Sequence, residues 1–350
     1  MIFVNKSRQY NPAVCSDGLA TTDTNKVFKY INNCSPNTIS GCSEQFTSQN
    51  TQTGIKDILK SISGQYPALL NWEIYTQQAA SINKTRMLYD INAHISQGGV
   101  VGLHDHPGNP VTYSLFDTAG YADRSGSPVA AIKSGGSKNA DYLSYLDEVA
   151  TIISAINGPV LYRPFHEING NWFWWNGSDR RADMILVWQQ TVDYLRNTKG
   201  LHNILFVLNF DANGELGDSN YGSQALSTWW PGSSYVDIIS IDYYPSSSPA
   251  TLDSARFNSA YSELIALSAT YQKPLGISEY GAQNLVAQTQ ENFWSDFGFY
   301  LKNKFKEFRF LCTWNGTYAP AINAASSNGY RQAIWDKSII GLDEFYLDKP

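Results

Sequence analysis

The chain has 350 residues, a formal net charge of −6 and only 16% charged residues. Its 43% hydrophobic content excludes extensive disorder, and its negative charge, without a cluster of Lys and Arg, excludes a nucleic-acid partner. No apolar run approaches the roughly 20 residues that a membrane-spanning helix needs, so we expect no membrane partner either.

From about residue 37 onward, short apolar runs alternate with segments of helical periodicity. This rhythm is typical of repeated βα units around a parallel sheet, and eight units close a barrel. An open doubly wound sheet would require a Gly-rich phosphate turn, and no G-x-G-x-x-G motif occurs. The candidate strands cover residues 37–42, 67–74, 98–104, 159–165, 204–209, 236–243, 274–279 and 308–314.

The predicted fold class is therefore α/β, a single-domain (β/α)₈ TIM barrel. We assign residues 25–350 to the catalytic domain and residues 1–24 to an N-terminal extension packed on the barrel. Two of the helical segments, 140–156 and 179–197, carry their apolar residues on one stripe, as does the segment that follows Asp253-Ser254. The segment 107–138 is rich in Gly, Ser and Pro, which predicts a βα loop on the functional face.

Four cysteines match no zinc-binding spacing, and three of them fall within the first 42 residues. We expect one disulfide near the N-terminus. Together with five Asn-x-Ser/Thr sequons, this favours a secreted, extracellular protein whose leader is not part of this chain. The cysteines are Cys15, Cys34, Cys42 and Cys312, and the sequence leaves their pairing open.

Two glutamates end predicted strands on opposite sides of the barrel: Glu167 at strand four and Glu279 at strand seven. Polar residues at the C-termini of barrel strands face the active site. Paired carboxylates hydrolyse glycosides, one as the proton donor and the other as the nucleophile or the base. The roles divide if burial raises one pKa while hydrogen bonds or positive charge lower the other. Arg163 and His166 are nearby candidates for this tuning.

The pair His104-x-His106 at the end of strand three has a second interpretation as zinc ligands. At most His166 can join them, because His94 and His202 precede their strands. We therefore expect no metal and no cofactor, and histidines that hydrogen-bond the substrate instead.

Four consecutive aromatic residues, 172–175, follow Glu167 closely and fit neither helical nor strand amphipathicity. Aromatic faces stack on sugar rings, and aromatic residues make up 14% of the chain. The cluster predicts a loop platform for a sugar.

The segment from Arg163 to Trp175, RPFHEINGNWFWW, resembles the acid/base signature of glycoside hydrolase family 26. Stretches beginning at Gln65, Gly98 and Tyr235 resemble the same family in the same order, so the similarity covers most of the chain. The resemblance implies a (β/α)₈ barrel that hydrolyses β-1,4-mannan with retention. Its acid/base would be Glu167 and its nucleophile Glu279.

The resemblance also implies substrate-binding positions. His166 would orient the nucleophile and the sugar's 2-position, and Tyr244 would hydrogen-bond the nucleophile. The third strand departs from the family, because Gly-Leu-His-Asp-His stands where Ser-Trp-His is common. The remaining positions implied to line the cleft are His106, Trp172, Trp314 and, further along, Trp72.

The leading hypothesis is a monomeric endo-β-1,4-mannanase acting on mannan and glucomannan. An exo-acting enzyme that releases mannobiose, a β-1,3-xylanase and a mixed-linkage β-glucanase of the same family stay open. A carbohydrate-binding barrel without turnover is disfavoured because both carboxylates occur within their motifs. A metal-dependent hydrolase is the remaining alternative.

Overall fold

The computed structural model describes residues 15–34, 37–44, 54–74, 81–212, 225–245, 254–281, 291–320 and 323–345. Eight parallel strands form a closed barrel, since β1 pairs with both β8 and β2. The (β/α)₈ prediction is confirmed, and each predicted strand overlaps an observed one. The strands are β1 (Thr38–Glu44), β2 (Leu69–Glu73), β3 (Val100–His104), β4 (Val160–Arg163), β5 (Ile204–Asp211), β6 (Ile238–Tyr243), β7 (Leu275–Tyr280) and β8 (Phe308–Thr313).

A short ninth strand, β9 (Ile339–Ile340), pairs with β1 outside the barrel. Two residues carry no periodicity, so this strand could not be predicted from the sequence. The described helices are α1 (Thr22–Asn33), α2 (Ile55–Ser63), α3 (Ser81–Ser96), α4 (Pro128–Ile132), α5 (Asn139–Ser154), α6 (Arg181–Asp193), α7 (Ala255–Tyr271), α8 (Glu291–Asn303) and α9 (Ala324–Trp335). None of them combines the length and hydrophobicity that crossing a bilayer takes.

The three strong helix predictions are confirmed as α5, α6 and α7. Ser254 begins α7 as a cap, accepting a hydrogen bond from the N–H of Phe257 at 3.1 Å. The predicted loop 107–138 connects β3 to α5 and contains only the short helix α4 and a 3₁₀ turn. It therefore lies at the C-terminal end of the strands, as expected for a βα loop.

Side chains alternate between the inside and the outside of each barrel strand. On β2, Leu69 and Asn71 line the interior, whereas Trp72 packs in the hydrophobic cluster that includes Met87 and Ile91 of α3. Trp72 is 0% exposed. It therefore lies outside the cleft, contrary to the expectation that it binds substrate, because its position on the strand turns it toward the helices.

The described part of the N-terminal extension contacts the bottom of the barrel. The backbone N–H of Ser16 donates to Asp237 at 2.5 Å, and Asp17 lies 2.8 Å from Nδ1 of His202. Helix α1 runs across the predicted boundary between residues 24 and 25, and residues 1–14 lie outside the described residues. The boundary itself stays a prediction.

All four cysteines are free thiols, so the prediction of an N-terminal disulfide is wrong. Cys15 precedes α1 and Cys34 follows it, while Cys42 lies within β1. The thiol of Cys34 instead donates to the carbonyl of Arg309 at 3.6 Å.

A buried carboxyl at the end of β1 should make the stability of the fold depend on pH. Burial raises the pKa of Glu44 from 4.5 to about 7. The folded state therefore binds a proton that the unfolded state has lost, so stability is full below the unfolded pKa and declines as pH rises toward 7.

Glu44→Gln keeps the shape without the charge. We expect it to be more stable than wild type by about 1 to 3 kcal/mol at pH 8 and by little at pH 5. Urea denaturation at the two pH values measures this, with Glu148→Gln, a partly exposed carboxylate, as the control. An equal effect of Glu44→Gln at both pH values would contradict the explanation.

Candidate active site

Three buried carboxyl groups meet at the C-terminal mouth of the barrel. Glu167 follows β4, Asp242 lies near the end of β6 and Glu279 near the end of β7. One carboxylate oxygen from each lies within 4.8 Å of the others. The structure thus brings the two predicted glutamates together across the mouth and adds an aspartate between them.

Two donors hold the carboxylate of Glu279. The guanidinium of Arg163 donates to Oε1, and the hydroxyl of Tyr244 donates to Oε2 at 2.7 Å. Arg163 also donates to Asp242, which places one cation between two buried carboxyl groups. These contacts fix the orientation of Glu279 and supply positive charge at its oxygen.

The backbone around Glu167 is strained. Phe165 and Glu167 both have a φ of 51°, in the left-handed region that non-glycine residues rarely adopt. Side-chain amides hold this conformation: Asn209 accepts from the N–H of Glu167 at 2.7 Å, and Asn176 donates to its carbonyl at 2.9 Å. This backbone conformation directs the side chain of Glu167 toward the mouth of the barrel.

The environment of Glu167 favours its protonated form. Burial raises its pKa well above the usual value, and the charges of Asp211, Asp242 and Glu279 raise it further. The indole N–H of Trp172 donates to Oε2 at 2.5 Å and opposes this shift. Glu167 is therefore suited to deliver a proton, while the donors around Glu279 leave that carboxylate oriented to attack.

Sequence reasoning missed Asn209, which connects the two halves of the site. Its amide donates to Asp242 at 2.8 Å, and its oxygen accepts from both Arg163 and the N–H of Glu167. The available signal was its position at the end of the predicted strand 204–209. An amide at a strand end carries no sequence pattern that separates a site residue from a structural one.

His106 and His166 lie side by side, with ring centroids 4.5 Å apart. Burial lowers the pKa of His106, but the charge of Glu73 and its hydrogen bond at 3.1 Å outweigh that effect, and the pKa is raised. Burial lowers the pKa of His166 well below its usual value. Glu73 was also missed, although the alternation along β2 places it, like Asn71, inside the barrel.

Arg163 and His166 were both expected to tune the carboxyl groups, but only Arg163 contacts one of them. Arg163 contacts Glu279 directly, whereas His166 contacts aromatic rings, with centroids 4.8 Å from Phe173 and 5.6 Å from Trp175. Nδ1 of His166 has no hydrogen-bond partner among the described residues. This nitrogen is therefore available to a ligand rather than committed to the nucleophile.

Most of the aromatic cluster is buried beneath the site and is not available to stack on a sugar, contrary to the prediction of a sugar platform. Trp174 and Trp175 are completely buried and Phe173 nearly so, and only Trp172 keeps part of its ring exposed. The two buried indoles donate to backbone carbonyls, that of Trp175 to His166 at 2.9 Å. A buried indole N–H requires a hydrogen-bond partner. These two hydrogen bonds hold the backbone at His166 and at Pro107, which follows His106.

Trp314 lies at the same end of the barrel, as a partly exposed residue just after β8. Its ring centroid is 5.5 Å from that of His104. The structure thus places six of the predicted site residues at the same end of the barrel as Glu279 and leaves Trp72 outside. The six are His106, His166, Glu167, Trp172, Tyr244 and Trp314.

The profile of one protein family, described as glycosyl hydrolase family 26, matches residues 16–343. The chain belongs to glycosyl hydrolase family 26. The catalytic domain of a family 26 endo-β-1,4-mannanase from Bacillus sp. JAMB-750 superposes with a TM-score of 0.76 and 23% identity, covering 95% of this chain and 94% of that one. That similarity shows a shared fold.

Two curated relatives carry the name mannan endo-1,4-beta-mannosidase. The protein called A and B from Caldalkalibacillus mannanilyticus is 24% identical over 345 residues, 91% of this chain and 61% of its own length. The one from Bacillus subtilis strain 168 is 25% identical over 291 residues, 79% of this chain and 74% of its own length. The family 26 chain thus spans about three fifths of the first relative.

A cavity of about 820 Å³ lies at the opposite end of this family 26 barrel, where the strands begin. Tyr66, Lys60 and Asp343 are among the residues that line it, and none of the three converging carboxyl groups is. Its size alone does not make it a reaction site. The strand C-termini hold the residues with paired acids and perturbed pKa values.

Proposed function

We propose that the chain is a retaining endo-β-1,4-mannanase that hydrolyses mannan and glucomannan by double displacement. The observation that carries this proposal is the approach of Glu167 and Glu279, with carboxylate oxygens within 4.8 Å. Retaining glycosidases have carboxyl groups about 5 to 5.5 Å apart, whereas inverting enzymes leave room for a water molecule. The substrate class is supported by the names of the two curated relatives.

In the first step, Glu167 donates its proton to the glycosidic oxygen while Glu279 attacks the anomeric carbon. The carbon–oxygen bond to the leaving chain breaks, and a glycosyl ester forms on Glu279. Arg163 and Tyr244 keep the attacking carboxylate in place through the hydrogen bonds they donate. The developing positive charge on the sugar is stabilised by the surrounding carboxyl groups.

In the second step, Glu167 has become a carboxylate and removes a proton from water. The water oxygen attacks the anomeric carbon, and the ester bond to Glu279 breaks. Glu167 regains its proton and Glu279 its charge. The same residue serves as acid and then as base because its pKa falls when the ester neutralises Glu279, whose charge had raised it.

The decisive experiment is incubation with mannan, glucomannan, β-1,3-xylan and mixed-linkage glucan. We expect rapid cleavage of the two mannans, with a range of oligosaccharides among the first products and β anomers at the new reducing ends by NMR. Mannobiose as the only early product would establish exo attack instead. Initial α anomers would exclude retention. Hydrolysis confined to xylan or glucan would exclude mannan and glucomannan as the substrates.

Trp172 should set the acidity of the proton donor through its indole N–H. Trp172→Phe keeps an aromatic ring but removes this donor, whose contact lowers the pKa of Glu167. We expect kcat to fall about 10-fold or more, as for loss of a hydrogen bond to a charged group, and the alkaline limb of the pH profile to move upward. A lower kcat with an unmoved alkaline limb would limit Trp172 to sugar contact.

We further propose that the enzyme acts outside the cell as a monomer. A polymeric substrate does not cross a membrane, so an extracellular location gives the enzyme access to it. Fractionation of the source organism with antibodies tests the location, and light scattering of the purified chain tests the oligomeric state.

A further inference from the structure

A second cluster of ligating side chains lies on the wall of the cleft. One potential ligand atom from each of Glu73, His104 and His106 lies within 4.8 Å of the others. Glu73 and His104 are directly opposite each other on β2 and β3, so their side chains extend into the barrel at the same height. Two imidazoles and one carboxylate are a donor set typical of zinc and similar divalent transition metals.

The strand geometry explains why both histidines face inward. Asp105, between them, is buried and accepts hydrogen bonds from Tyr145 and Tyr162, away from the cleft. The alternation of the backbone therefore turns His104 and His106 to the same side.

His104 carries the second observation. It is 2% exposed, and its Nε2 has no hydrogen-bond partner among the described residues. A buried polar atom without a partner is uncommon and points to an additional ligand. Its Nδ1 lies 3.0 Å from the amide of Asn71. In the structure the amide nitrogen of Asn71 faces Nδ1, so a metal at Nε2 requires this amide to turn its oxygen toward a protonated Nδ1.

The cluster is accessible from the cleft. The side chains of His106 and Glu73 are 16% and 32% exposed, so an ion can reach the buried His104 from their side. His166 lies beside His106 but outside the three-atom group. A metal bound by three protein ligands would keep a further position for water, the arrangement of an open zinc site.

We propose that Glu73, His104 and His106 form a binding site for one divalent transition-metal ion of the zinc type. The ion occupies the wall of the cleft and takes no part in hydrolysis. A bound ion engages the His106 imidazole, which faces the sugar under the proposed function. Metal and oligosaccharide therefore compete, and this competition, unlike metal binding itself, rests on the proposed function.

Cobalt is the probe, because Co²⁺ replaces Zn²⁺ in such sites and absorbs visible light when bound by histidine and carboxylate. The full chain is freed of metal with a chelator and titrated with Co²⁺ without any saccharide. We expect d–d absorption bands that saturate at one equivalent and disappear when Zn²⁺ is added. No saturable band would overturn the proposal, whatever the result of a mannanase assay.

Variants locate the site. His104→Ala and Glu73→Gln should each weaken Co²⁺ binding by more than about 10-fold, since even residues that only support a metal ligand change affinity by about 10- to 100-fold. His202→Gln, at the other end of the barrel, should bind like wild type. Glu73→Gln is isosteric and keeps the test valid if His104→Ala does not fold. Wild-type affinity in both cluster variants would overturn the assignment.

Competition is measured separately. Mannobiose added to the cobalt-loaded protein should weaken the absorption bands, and Zn²⁺ should raise the KM for mannan more than it lowers kcat. Full mannanase activity after chelation is expected, because the proposed hydrolysis needs no metal. Bands that persist in saturating mannobiose would confine the proposal to metal binding and remove its link to the sugar.

Discussion

Glu279→Ala should lower kcat on mannan by about 10⁴-fold or more, because the covalent route loses its nucleophile. The fold should survive, since the substitution removes a carboxylate and leaves Arg163 and Asp242 paired with each other. Activity on mannan and thermal unfolding of the same preparation measure the two effects. Near-normal turnover by the folded variant would refute the assignment of Glu279.

Chemical rescue separates a nucleophile from a residue of structural importance. In Glu279→Ala, azide can enter the space left by the carboxylate and attack an activated aryl β-mannoside from the α face. We expect restored turnover and an α-mannosyl azide. Glu148→Gln on α5 changes a carboxylate outside the barrel mouth and should behave as wild type with or without azide.

Glu167→Ala should reduce kcat on mannan by about 10²- to 10⁴-fold, the range for loss of a general acid. The loss should be much smaller for the first step with a dinitrophenyl β-mannoside, because that leaving group departs without a proton. Azide should now attack the anomeric carbon of the mannosyl-enzyme in place of water, which releases the Glu279 carboxylate and gives a β-mannosyl azide. An α product, or equal losses on both substrates, would contradict the acid/base role.

The pH profile supplies the control for the same residue. Burial and the neighbouring carboxylates raise the pKa of Glu167 well above its usual value, so wild-type activity should decline only as pH rises through that elevated pKa. In Glu167→Ala this alkaline limb should disappear. Its persistence would assign the limb to another group.

Burial and charge explain how two identical side chains acquire different roles. Glu167 faces Asp211, Asp242 and Glu279 and has one neutral donor, the indole of Trp172. Glu279 has a guanidinium and a phenol as donors. Under the proposed mechanism, the contact of Arg163 with Glu279 assigns the nucleophilic role to that glutamate.

Strand periodicity and strand count predicted the barrel, since eight apolar runs separated by helical segments have few other ways to bury their surfaces. The positions of Glu167 and Glu279 at the ends of strands four and seven then predicted their convergence, because parallel strands end on one face. These inferences succeeded because they depend on local periodicity and chain order.

Contacts between distant strands could not be predicted in the same way. Asn209 and Glu73 approach the site through the register of neighbouring strands, and local patterns do not specify that register. Burial of the aromatic run could not be predicted from the sequence either. The sequence does not show whether the indole N–H of a tryptophan donates to a sugar or to a backbone carbonyl. The indole N–H of Trp175, for example, donates to the backbone carbonyl of His166.

The sequence by itself determined the fold class, the family and the two facing carboxylates, since these follow from periodicity, chain order and a long motif. Only the tertiary structure decided which groups surround each carboxyl. It placed Arg163 and Tyr244 on Glu279, left Glu167 among acids, and aligned Glu73 with His104. The physical reason is that pKa values and ligand sets depend on distances of a few ångströms between residues far apart in the chain.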